Sequence, residues 1–217
     1  MRIELLDFTP IKVLAIATAE PYQSTASERL VKNVWDSRHR SIARHGMAVF
    51  QVSDVSQSLL RQLSRHPHIN LTVKSSRYCN MSEVPVVLPP FLKDEDIDDY
   101  ISDYEMTRTV YRAWVSCSGY TKEQGRELAK LHLSLGSTTD LIVSGNYQAL
   151  FEFLQLRLCV RAEWEIRKLA EGMATILKDC LPAIFTELGC IGDEWGVCPE
   201  SHGSCGKYPP RQTKKGA

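Results

Sequence analysis

Two long helical segments follow one another near the end of the chain, at about Asn146–Cys159 and Ala162–Leu181. That succession breaks the strand–helix–strand cadence of a doubly wound sheet. Upstream, strands are expected at Ile11–Ala19 (IKVLAIATA, β-branched and apolar), Gly46–Val52, Ile69–Lys74 and Thr138–Val143. Helices are expected at Ser27–Ser37 with Ser27 as cap, and at Val55–Ser64 with Asp54 as cap. Two more are expected at Asp94–Ser116, with an acidic first turn that suits the helix dipole, and at Thr121–Leu133. Pro85, Pro89 and Pro90 make the segment VPVVLPPFL a loop. The mixture has no clean βαβ alternation, so the expected class is α+β, a mixed sheet with long helices. Residues 1–188 are expected to form a single domain, and the Cys/Gly/Pro-rich residues 189–217 an irregular tail.

The 217 residues carry 26 basic and 26 acidic side chains, a net charge of zero. A general polyanion binder usually carries a large basic excess, so nucleic acid is not the expected partner. No apolar run approaches the length of a membrane span. The N-terminus lacks the charged-then-apolar layout of a signal peptide. With seven cysteines, an odd number, the expectation is reduced thiols in a cytoplasmic protein. Neither GxGxxG nor GxxxxGK[ST] occurs, which leaves Rossmann and P-loop nucleotide sites unsupported.

The zero conceals an uneven distribution. Arg38, Arg40, Arg44, Arg61, Arg65, Lys74 and Arg77 share one stretch with a single acid, Asp54, and with His39, His45, His66 and His68. Such a local excess points to an anionic ligand or to a solvated basic face. Within it, Gln62 and Arg65 share a helix face, and Lys74, Ser75, Ser76 and Arg77 form a compact donor set suited to phosphate. A second feature is Arg157. It continues the stripe of Leu150, Phe153 and Leu154, so its guanidinium falls on or beside the core face. It then needs an acid, carbonyl groups, a ligand or a route to solvent. A third is Cys190, Cys198 and Cys205 with His202 between them, a conceivable zinc set whose spacings lack C-x2-C pairs. Inert thiols are favoured there, and Cys79, with no base supplied, reads as structural.

Arg65-His66-Pro67, seven residues, then Ser75-Ser76-Arg77-Tyr78 resembles the Arg-His-Arg, seven residues, Ser-x-Arg signature of flavin-dependent thymidylate synthases. His39-x-Ser41 with His45, Gly125–Lys130 and Asn146–Ile166 resemble further segments of that family, in order, over about residues 11–190. The resemblance implies methylation of dUMP to dTMP, with carbon from methylenetetrahydrofolate and hydride from FAD reduced by NADPH. It also implies a homotetramer with active sites between subunits, and no cysteine nucleophile. Carried over by motif, Arg157 is the catalytic residue, holding the uracil. Gln62, Arg65, Ser75, Ser76, Arg77, Lys130 and Arg157 bind dUMP, and His39, Ser41, Arg65, His66, Asn146 and Gln148 bind FAD.

This chain departs from the family pattern at five positions. Pro67 replaces an arginine, Val73 and Arg44 stand where glutamates are common, Lys130 replaces an arginine, and Arg161 stands where histidine is common. Pro67 removes a charge and a backbone donor, and Lys130 loses the guanidinium fork. These losses leave two alternatives beside the active enzyme: a non-catalytic dUMP-binding homologue, and a variant pyrimidine-nucleotide one-carbon transferase.

Overall fold

A computed structural model describes residues 1–200 and 202–211. Its strands are β1 (Arg2–Phe8), β2 (Met47–Ser56), β3 (Ile69–Val73) and β4 (Thr138–Asn146). Its α-helices are α1 (Ile11–Ala19), α2 (Glu28–Asp36), α3 (Gln57–Leu63), α4 (Ile97–Val115), α5 (Lys122–Ala129), α6 (Tyr147–Arg157), α7 (Trp164–Cys180), α8 (Pro182–Phe185) and α9 (Ile191–Trp195). The strands form one sheet in the order β1-β2-β4-β3. The α+β class is as expected, but the sheet is antiparallel rather than mixed, because its long helices do not act as parallel crossovers.

The chain divides into two compact units. One comprises residues 1–2, 51–65 and 71–142; the other comprises 3–50, 66–70 and 143–217. In the first unit, Tyr111 is fully buried on α4 and packs with Met81, Val84 and Ala129. Its hydroxyl accepts a hydrogen bond from the Met81 N–H at 3.0 Å, and the Tyr104 hydroxyl donates to the Val84 carbonyl at 2.9 Å. These bonds satisfy the polar tips of two buried aromatics and fix the proline-rich loop against α4. Cys79 packs on the same cluster, consistent with a structural thiol. A capping box of Thr121 and Gln124 starts α5.

In the second unit, α6 and α7 supply much of the core, including Leu150, Phe153, Leu154, Ile166, Leu169 and Met173. Trp35 of α2 meets Phe151 edge to face at 4.9 Å. Ser27 caps α2, its Oγ accepting from the Leu30 N–H at 3.2 Å.

Three expectations are corrected here. Ile11–Ala19 is helix α1, not a strand. Leu14, Ala15, Thr18 and Ala19 are its buried residues, a helical spacing. Its three alanines favour helix more than its β-branched residues oppose it. The cap of α3 is Ser56, whose Oγ accepts from the Leu59 N–H at 3.0 Å. Asp54 instead sits within β2 in a left-handed conformation at φ 60°, and its N–H donates to Asp140 Oδ1 at 3.2 Å. Third, the tail is not irregular throughout. Asp193 accepts from the Cys190 N–H at 2.7 Å and starts α9, and Gly196 ends it in the left-handed region at φ 67°. Residue 201 and residues 212–217 of that tail lie outside the described residues.

Candidate functional site

The first unit holds a pocket of about 310 Å³ lined by Gln57, Arg61, Ser76 and Lys130, among others. Arg61 comes from α3, Ser76 from the turn after β3, and Lys130 from the end of α5. The turn is local: Tyr78 N–H and Cys79 N–H both donate to the Ser75 carbonyl, at 3.3 and 2.9 Å. Arg126 of α5 holds the turn from outside by donating to the Tyr78 carbonyl at 2.6 Å. Two cations, a hydroxyl and an amide around this space can receive a small anion.

Of the residues expected to bind a nucleotide, the structure brings Ser76 and Lys130 to this pocket. Gln62, Arg65, Ser75 and Arg77 do not line it. Arg77 is held by Glu127, with Nε 2.6 Å from Oε1, and Lys74 by Asp140 at 3.5 Å. Arg61 is the residue that motif reading missed. It stands one helical turn after Gln57 on α3, and that i, i+4 spacing, which puts both on one helix face, is the signal that would have found it.

In the second unit, the 3-10 turn Arg40–His45 meets the start of α6. Arg44 Nε donates to Gln148 Oε1 at 2.7 Å, and Gln148 Nε2 donates to Glu152 Oε1 at 2.8 Å. Asn146 caps α6, its Oδ1 accepting from the Ala149 N–H at 2.9 Å. His39 and Ser41 are exposed at the beginning of the turn. These expected ligand-binding residues thus share one surface with Arg44, whose charge replaces the family's glutamate.

Arg157 ends α6, partly buried. Its Nε donates to His66 Nε2 at 2.8 Å. His66 is therefore a neutral acceptor with its proton on Nδ1, and its ring stands edge-on to Phe153 at 4.8 Å. Burial lowers the His66 pKa from its ordinary value of 6.5, and the Arg157 charge lowers it further. Burial also lowers that of Arg157, with Glu163 opposing. Arg157 lines a pocket of about 420 Å³ together with Arg161, Lys207, Tyr208 and the cysteines 159, 190, 198 and 205. Cys190, Cys198 and Cys205 share that wall, yet no three His, Cys, Asp or Glu side chains form a metal-holding group among the described residues.

A pH prediction arises from this pair. The folded state resists protonating His66, and the unfolded state does not. Between the two pKa values the unfolded chain binds more protons, so stability falls as pH drops below about 6.5. Thermal unfolding scanned from about pH 8 to 5 should show this loss, and His66→Asn should flatten that part of the profile. An identical profile in the variant would remove His66 as its cause.

The sequence profile of the family described as thymidylate synthase complementing protein matches residues 4–183. The chain belongs to the flavin-dependent thymidylate synthase family. A flavin-dependent thymidylate synthase from Geobacter sulfurreducens is 30% identical over 225 residues, covering 95% of this chain and 94% of that protein. One from Nitratidesulfovibrio vulgaris is 29% identical over 189 residues, covering 84% and 77%. In fold, the chain is similar to a Helicobacter pylori flavin-dependent thymidylate synthase crystallised with FAD and dUMP. That likeness has a TM-score of 0.71 at 24% identity and covers 87% of this chain and 100% of that one. The profile match covers the whole lining of the first pocket and the α6 wall of the second, whose α9 and tail residues lie beyond it. No helix among the described residues is long and apolar enough to cross a membrane.

Proposed function

We propose that this protein reductively methylates dUMP to dTMP. The observation that carries the reading is Arg157: a partly buried guanidinium fixed at Nε by a neutral histidine and lining a pocket of about 420 Å³. Such a group supplies N–H donors and positive charge to a ligand. Bound to a uracil carbonyl oxygen, it stabilises negative charge in the ring and raises electron density at the carbon that is alkylated. Gln62, Arg65, Ser75, Ser76, Arg77 and Lys130 bind dUMP in this reading, with Ser75, Arg77 and Lys130 nearest the phosphate.

His39, Ser41, Arg65, His66, Asn146 and Gln148 would hold FAD. The donor set fits a dinucleotide: an exposed hydroxyl and imidazole and half-buried amides stand with the Arg44 cation, which suits a pyrophosphate. When bound and reduced by NADPH, FAD supplies the hydride that completes the methyl group, and methylenetetrahydrofolate supplies its carbon. The protein's share is to bind, orient and polarise the pyrimidine. Residues 1–188 are the catalytic part and 189–217 a tail. The assembly is a cytoplasmic homotetramer whose active sites draw on more than one subunit.

The absorbance spectrum of the purified protein tests this reading. Added FAD should give a bound-flavin spectrum that shifts when dUMP is titrated in. A protein that takes up no flavin would overturn it, and dUMP binding without turnover at saturating FAD would select the non-catalytic alternative. At the phosphate, Lys130→Ala should raise KM for dUMP about tenfold or more with kcat little changed, since a charge-assisted bond is lost in ground and transition states alike. An unchanged KM would remove Lys130 from the site.

A further inference from the structure

We propose that Glu194, beyond the family-matched residues 4–183, is a positioning residue for the flavin site; this rests on the reading above. Its side chain is 15% exposed. Oε1 accepts from Arg40 Nη2 and lies 3.3 Å from Arg38 Nη1. Oε2 accepts from Gln155 Nε2. One carboxylate therefore joins both arginines flanking His39 to a buried amide on α6, two residues before Arg157.

The physical need for this carboxylate lies in Arg40. Its guanidinium packs over Phe151 at 4.6 Å and Trp35 at 5.0 Å, and its buried Nε has no acceptor among the described residues. A cation between two rings has lost much of its water, and a fixed carboxylate replaces that solvation. The next residue strengthens the clamp: the Trp195 ring lies 4.1 Å from the Arg38 guanidinium. The clamp is itself braced. Asp193 accepts from the Tyr208 hydroxyl at 2.8 Å and pairs with Lys207, and these bonds hold its pKa well below the usual carboxylate range. The tail thus folds back on α9, and α9 fixes the segment bearing His39 and Ser41 against the helix bearing Arg157. Supporting contacts of this kind set the orientation of the groups that touch ligand.

Glu194→Gln tests this, because it keeps the shape and removes the charge. FAD Kd should rise about tenfold, the scale of a lost charge-assisted bond. Amide hydrogen exchange should speed up over residues 38–45 while the first unit exchanges as in wild type. Glu194→Asp, which restores the charge on a shorter arm, should recover part of the affinity. An unchanged FAD Kd with unchanged exchange at 38–45 would overturn the proposal. So would exchange raised uniformly along the chain, which marks a merely structural brace. If the wild-type protein binds no FAD, the flavin reading fails by itself, and the exchange comparison still decides whether Glu194 holds this segment.

Discussion

Arg157→Ala is expected to reduce dTMP formation by about 10³-fold while FAD stays bound, because one donor at a site of developing charge is worth two to three decades in rate. Leu150, Phe153 and Leu154 are buried, so the stripe they define brings position 157 to the edge of the core. A guanidinium there has given up water, and its Nε hydrogen-bonds to neutral His66. That bond orients the side chain without neutralising it. Truncation removes both the charge and the terminal donors, so kcat should fall far more than KM changes. Arg157→Lys keeps the charge and loses the planar fork, and should recover only part of the rate. Flavin binding, assigned mainly to the 38–45 turn and the start of α6, should survive in both variants. Steady-state kinetics with a flavin spectrum on each variant would check this. Wild-type turnover in Arg157→Ala would remove the proposed role.

Gly46→Ala is expected to be the most destabilising small substitution, by about 3 kcal/mol, the upper range of overpacking. The backbone is not the obstacle: Gly46 lies in the extended region at φ −117° and ψ 148°, which alanine adopts freely. The obstacle is space. A Cβ there would stand 2.2 and 2.5 Å from ring carbons of Tyr147 and 2.8 Å from Leu14. Tyr147 cannot step aside. Its ring is fully buried and meets Phe185 edge to face at 6.0 Å, its N–H donates to the Gly46 carbonyl at 2.9 Å, and its hydroxyl donates to the Thr9 carbonyl. Burial accordingly pushes the Tyr147 phenol pKa well above its ordinary value. The expected drop in Tm is about 6–12 °C for a chain of this size. Because Tyr147 follows the cap residue Asn146, weakened FAD binding should accompany it. A Tm within about 2 °C of wild type would show that the two residues part without cost.

Much of this was legible in the sequence, for physical reasons that differ by element. Ser27, Thr121 and Asn146 sit where polar caps precede apolar helical periodicity, and all three cap helices. The core-edge position of Arg157 followed from spacing alone. Ile11–Ala19 misled because its β-branched residues share a segment with alanines, and only burial on one helical face decides between the two readings. Strand β1 passed unnoticed although Ile3 and Leu5 alternate with Arg2 and Glu4, a short period-two signal at the chain's start. The neutral state of His66 and the Glu194 clamp were illegible, since both depend on partners 91 and 39 residues or more away. Glu194 also lies past residue 183, where the family profile match ends.

The reaction product is the direct test of the proposed function. The protein would be incubated anaerobically with FAD, NADPH, methylenetetrahydrofolate and dUMP, and the nucleotide read by mass spectrometry. The expected product is dTMP, heavier than dUMP by one methylene unit, formed only when all components are present. Unchanged dUMP alongside protein with flavin bound would contradict it.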